Sequence, residues 1–161
     1  MNTINLMYHD VFVGNSNESG FPSEIYKLPL SDFDAQVQCV LKCIKSGTEV
    51  VLTFDDGGVS FSYPISEVVD KYNLRGIFFI STDYIGKEGF LTEEQIKDLH
   101  QRGHIIGSHS HTHPNNITTL SKENIMSEWC NSINILSRII ERNVEVASIP
   151  NGYESKLVVE L

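Results

Sequence analysis

Short apolar runs alternate with helix-patterned segments down the whole chain, and this alternation limits the fold more than any other feature. The runs INLMY (4–8), EVVLTF (49–54), GIFFIS (76–81), HIIG (104–107) and VEVASI (144–149) are mostly continuous in apolar character. That is the pattern of strands covered on both faces. Between them lie segments with apolar residues every three or four positions and legible ends. Ser31 and Asp34 open one along Val37, Leu41 and Ile44, stopped by Gly47, and residues 61–73 form another with Pro64 in its first turn. Thr92-Glu93-Glu94-Gln95 spells a capping box before Ile96 and Leu99, closed by Gly103. Ser121 opens the longest helix, along Ile125, Trp129, Ile133, Leu136 and Ile140, and a last helix spans 154–161. Strand then helix, about five times over, predicts an α/β fold of parallel strands with right-handed crossovers.

At 161 residues, one domain over 1–161 has enough chain to bury a real core. A formal net charge of −9 argues against a nucleic-acid surface or an anionic membrane as partner. No run approaches the roughly 18 apolar residues of a membrane span, and no basic, apolar leader precedes the first strand. The chain as written is therefore expected to be cytoplasmic. Its three cysteines fit a reduced compartment: Cys39 and Cys43 on an apolar helical stretch, and Cys130, are expected in the core rather than as ligands. Residues 10–30, with Gly14, Gly20, Pro22 and Pro29, read as a long loop.

In parallel α/β folds, ligands bind at the carboxyl ends of the strands. The residues just past each run are His9-Asp10, Asp55-Asp56-Gly57, Ser81-Thr82-Asp83, Ser108 to Pro114 and Pro150-Asn151-Gly152. In LTFDDGG (52–58), adjacent carboxylates repel unless a cation or a proton separates their roles. Asp-Gly is equally ordinary turn chemistry, so both readings stand. In GSHSHTHP (107–114), three histidines within five residues favour a metal over a solvated loop, with His109 and His113 four apart. Two imidazoles and a carboxylate form a recognised zinc set with a place left for water, whose pKa zinc lowers to about 7. One aspartate then binds the metal and the other takes the proton. Metal-assisted hydrolysis follows as a reaction class. His9, taken alone, reads as the polar end of the first strand.

TFDDG (Thr53–Gly57), the HSxxH of His109–His113 and the turn Pro150-Asn151-Gly152 resemble, in order, the first three motifs of polysaccharide deacetylases, the NodB-homology or carbohydrate esterase 4 group. FFIST (Phe78–Thr82) and RGHIIGSHSHTHP (Arg102–Pro114) are also typical of that family, and the resemblance covers roughly residues 50–161. It implies a distorted (β/α) barrel, here with too few strands to close. It implies Asp55 as general base and Asp56, His109 and His113 as ligands of a divalent metal, Zn2+ foremost, with Co2+ or Ni2+ as alternatives. Ser110 would brace the loop. The backbone N–H of Asn151, in the turn begun by Pro150, would stabilise the oxyanion. His111 falls at a variable position and is expected to be structural. The implied substrate is an N-acetylated sugar or glycoconjugate. Two rivals are hydrolysis of another amide C–N bond, and a catalytically silent carbohydrate-binding domain.

The chain also departs from the family pattern. Where the third motif commonly reads R-x-P-Y-G, this chain has Ser148-Ile149-Pro150-Asn151-Gly152. Ser148 cannot form the arginine ion pair to the base, and Asn151 removes a ring from the groove. No histidine follows His113, so the late L-x-I-x-x-H motif that supplies the general acid is missing there. Ile4-Asn5-Leu6-Met7-Tyr8-His9 has the same spacing, and a branch resembling the poly-N-acetylglucosamine deacetylases carries the motif at its amino terminus, as a circular permutation. His9 is thus expected to be the general acid, across the metal from Asp55. Asp10 is expected on the rim without a part in the chemistry, and Asp83 as a cap or turn residue. The domain is short at its carboxyl end, and a second subunit is one way of completing such a barrel.

Overall fold

Four of the five expected strands form one parallel sheet. The computed structural model describes residues 3–15, 18–21 and 25–161. Its strands are β1 (Thr3–Tyr8), β2 (Val11–Phe12), β3 (Leu28–Pro29), β4 (Glu49–Phe54), β5 (Gly76–Ile80) and β6 (Ile105–Ser108). The main sheet runs β1-β4-β5-β6, parallel throughout. The fifth expected strand, 144–149, shrinks to a single parallel bridge between Ala147 and Ser108. Because β6 itself ends at Ser108, the backbone bonds between it and that segment, among the described residues, are Ser108 N to Val146 O at 3.0 Å and Ser148 N to Ser108 O at 2.9 Å. Among the described residues the sheet does not close into a barrel.

Among the described residues β1 is paired on one side, by β4, and Ile4 and Met7 are exposed instead of covered on both faces. The expected loop over 10–30 contains a short parallel ladder, β2 with β3, that its composition hides. Residues 16, 17 and 22–24 of that loop, Pro22 among them, lie outside the described residues, as do Met1 and Asn2.

Register explains the core. Tyr8 pairs with Phe54 and Phe54 with Phe78, which lines three aromatic residues up across the sheet. Phe54 stacks on Phe78 (centroids 4.8 Å apart) and on Tyr8 (5.6 Å), while Phe33 meets both Tyr8 and Phe54 edge-on. All four are buried. Each such side chain contributes roughly 1.5–3 kcal/mol by leaving water. At Gly107 an added Cβ would lie 2.5 Å from the Phe79 ring, so only glycine lets that ring cross β6.

The helices are α1 (Leu30–Lys45), α2 (Ile65–Lys71), α3 (Glu93–Gln101), α4 (Lys122–Ile140) and α5 (Lys156–Glu160). The capping box of α3 is formed, with Gln95 N donating to Thr92 Oγ1 and Thr92 N to Gln95 Oε1. Ser121 Oγ caps α4 by accepting from Asn124 N at 3.3 Å. Ser31 does not cap α1, which starts a residue earlier behind Pro29; its hydroxyl donates to Asp32 instead. The buried stripe of α1 is Phe33, Val37 and Val40, and Ile44 is exposed. Cys39 therefore falls off the stripe. Cys39 and Cys130 are exposed and Cys43 is half-buried, so the cysteines are surface residues and not core.

A smaller apolar cluster of Ile117, Ile125, Trp129 and Val158 pins α5 against the start of α4. That cluster anchors the chain on either side of the Pro150 turn. No helix among the described residues is long and apolar enough to cross a membrane.

Candidate active site

The register that stacks the aromatic row also builds the rim. Tyr8 pairs with Phe54, and Asp55 N donates to Tyr8 O at 2.9 Å, so His9 and Asp55 are the first residues past the paired strands. Side chains alternate along a strand, which sends these two to the face opposite the buried rings. His9, Asp55, Asp56, His109 and His113 line one cavity of about 920 Å³.

At its floor, Asp56 Oδ1 lies 3.3 Å from His109 Nε2 and 3.2 Å from His113 Nε2. One ligand atom from each of the three lies within 4.8 Å of the others. Burial alone would disfavour the Asp56 carboxylate. Hydrogen bonds with His109 and His113, and the charges of His109 and His9, outweigh it and hold the carboxyl well below its usual range. The group thus behaves as a fixed negative charge facing two imidazoles. The donor set fits a divalent metal: two imidazoles, one ionised carboxylate, and room in the cavity for further ligands. His109 Nδ1 sits 3.1 Å from the Ser148 carbonyl, which accepts only if that nitrogen carries the proton. That bond is the usual outer support of a metal-binding histidine, and it leaves the lone pair of Nε2, 3.3 Å from Asp56 Oδ1, as the atom a metal would take.

The loop after β6 is held from several sides. His109 N donates to Ile80 O (3.1 Å), Thr82 N to Ser110 O (3.3 Å) and Asp83 N to His111 O (2.9 Å). Ser110 Oγ accepts from His113 N at 3.2 Å, so Ser110 braces the loop as its hydroxyl permits. His111 turns away, its Nδ1 2.8 Å from Thr82 Oγ1. Glu128 on α4 accepts from His111 N, Thr112 N and Thr112 Oγ1 at 2.7–2.8 Å. Asp56, Ser110, His113 and Asn151 all have left-handed backbones, with φ of 87°, 61°, 54° and 57°. Such positions cost of order 1–3 kcal/mol each and persist where the surroundings over-determine them.

Asp55 is buried beside this group. Ser148 Oγ donates to its Oδ2 at 2.8 Å, while its Oδ1 is buried and has no hydrogen-bond partner. On the wall of the same cavity, the His9 ring lies 5.3 Å from that of Tyr26. Asp10 is not on the rim. It is buried, accepting at Oδ1 from Ser19 Oγ (2.5 Å) and Ser60 Oγ (2.6 Å), and thereby joins the end of β1 to residues 18–20 and 58–60. Burial pushes its carboxyl above the ordinary 3.8, against those two hydrogen bonds and the charge of Lys27. Pro150 is buried and Asn151 stands at the cavity wall, its Nδ2 3.4 Å from Asn115 O. Asp83 caps nothing; it pairs with Lys87 at 2.8 Å.

Three participants are not evident from the sequence. Glu128 sits on a polar helical position like its neighbours, and only the folded loop brings amides to it. Ser148 looks like the loss of a cation, although a hydroxyl past the last extended segment was a signal for a hydrogen bond to the rim. Phe21, whose ring lies 5.0 Å from that of His113, belongs to the loop whose composition carries no pattern.

Residues 44–161 match the family model described as polysaccharide deacetylase. YxkH of Bacillus subtilis is 27 % identical over 165 aligned residues, covering 91 % of this chain and 56 % of the relative. The chain thus spans about half the length of that relative. The Streptococcus pyogenes deacetylase PplD, whose structure is a complex with acetate, matches with a TM-score of 0.83 at 21 % identity, over 99 % of this chain and 78 % of its own. IcaB from Ammonifex degensii matches at 0.81 and 17 % identity, over the same shares. At these identities the structural likeness establishes the fold.

Proposed function

The chain belongs to the polysaccharide deacetylase family, and on that premise we propose that it is a metal-dependent hydrolase removing acetyl groups from an N-acetylated sugar. The observation that carries the reading is the convergence of Asp56, His109 and His113 beside a second buried carboxylate with one unpartnered oxygen. Asp56, His109 and His113 would hold a divalent cation, zinc foremost, which would supply Lewis-acid polarisation of water and of the acetyl carbonyl. Asp55 takes a proton from the attacking water as the water oxygen bonds to the acetyl carbon. The backbone N–H of Asn151, a residue of the cavity wall, serves as the donor to the oxygen that becomes negative. His9 gives its proton to the nitrogen as the C–N bond breaks. One water is consumed, and acetate and a free amino sugar leave.

His9 and Asp55 line the same cavity, which supports this division of roles, and the contribution of His9 to the ionisation of Asp56 supports its closeness to the charged group. The test is acetate release by the zinc-loaded protein, compared between N-acetylglucosamine oligomers and simple amides. Release from the sugars, abolished by chelation, is the expected result. Turnover of simple amides alone would favour another C–N hydrolase. Binding of sugars with no acetate release would favour a silent carbohydrate-binding domain.

A further inference from the structure

Asp55 has two chemically equivalent oxygens, yet the fold treats them differently. Oδ2 accepts the Ser148 hydroxyl at 2.8 Å, and Oδ1 is buried without a partner. The same residue holds His109 through its backbone carbonyl, 3.1 Å from Nδ1. Ser148 reaches this place because its own N–H is fixed on Ser108 O at 2.9 Å, on the edge of β6, one residue before His109. Two elements of the site, the base and one imidazole of the ligand group, therefore hang on one residue by two separate atoms.

We propose that Ser148 is a positioning residue that fixes the orientation of the Asp55 carboxylate through Oδ2, while its carbonyl separately orients the His109 ring. This inference rests on the deacetylase reading. The hydroxyl occupies a lone pair of Oδ2 and restrains rotation of the carboxylate about its Cβ–Cγ bond. A neutral hydroxyl does this without placing a cation against the base. The side chain and the carbonyl are separable by mutation, because Ser148→Ala removes only the first.

The experiment measures kcat, KM and zinc affinity for wild type, Ser148→Ala and Ser148→Thr, and repeats Ser148→Ala in an Asp55→Asn background. Ser148→Ala is expected to lower kcat about tenfold, the effect of losing one hydrogen bond to a charged group. KM and zinc affinity are expected to stay within about threefold, because the carbonyl that holds His109 is retained. Ser148→Thr, which keeps the hydroxyl, should restore most of the turnover. In the Asp55→Asn background the alanine change should cost little more, since its effect passes through that carboxylate. A wild-type kcat in Ser148→Ala overturns the inference, as does a loss of zinc affinity that parallels the loss of kcat. An undiminished tenfold loss in the Asp55→Asn background overturns it too. A wild type that binds zinc yet releases no acetate from any N-acetylated sugar overturns the deacetylase reading, and the inference with it. Failure of the inference alone is recognised by an active wild type matched by an active Ser148→Ala.

Discussion

His9 and Asp56 differ in what their surroundings ask of them. Asp56 is locked: buried, left-handed in backbone and held ionised by two imidazoles. His9 is half-buried, on the cavity wall beside Tyr26, and its proposed part is to pass a proton to the leaving nitrogen. These roles separate in a mutant. His9→Ala should bind zinc as wild type does while kcat falls by about 10²- to 10⁴-fold, read from parallel zinc titration and acetate release. Equal turnover in His9→Ala and wild type would return His9 to a structural place at the end of β1. The spacing of the two aspartates and of His109 with His113 was legible because each pair is local in sequence, one after β4 and the other after β6, on either side of β5. The Asp10 cage was not. It depends on Gly20 and Gly58, where an added Cβ would lie 1.9 and 2.0 Å from the carboxylate oxygens, and on serines 9 and 50 positions away.

At the scale of elements, the connection from β6 to α4 decides whether two imidazoles stay on one carboxylate. It has little hydrophobic anchorage at His111 and Thr112, and Glu128 substitutes for it with three accepted hydrogen bonds. Glu128→Ala leaves two backbone N–H groups without that partner. It should cost about 1–3 kcal/mol of stability and lower zinc affinity on the order of tenfold, measured by denaturant unfolding and by metal competition. Unchanged affinity would mean that the strand and the Ser110 brace hold the loop unaided. Sequence periodicity placed α3, α4 and their caps well, since a capping box and a regular apolar stripe are local signals. It misjudged 144–149, whose apolar run says strand while β6 offers it only Ser108 to pair with. It also assigned Cys39 and Cys130 to the core, because composition marks an apolar stretch but not the side of the helix that turns inward.

For the whole molecule, the parallel order β1-β4-β5-β6 turns segments far apart in sequence into one rim. His9 is separated from Asp55 by 46 positions and from His109 by 100, yet β1 lies beside β4, and all three meet at one cavity. Strand–helix alternation made the fold class readable from the sequence. It did not reveal that β1 lies at the edge of the sheet among the described residues, which depends on which strands pair and not on their composition. The proposed chemistry requires this rim to hold a single divalent cation on Asp56, His109 and His113. Equilibrium dialysis of the purified protein against zinc at neutral pH is the direct test. One zinc per chain is expected for wild type, with its loss in Asp56→Ala. A wild type that takes up no zinc, cobalt or nickel, or an Asp56→Ala variant that binds zinc as tightly as wild type, would contradict it.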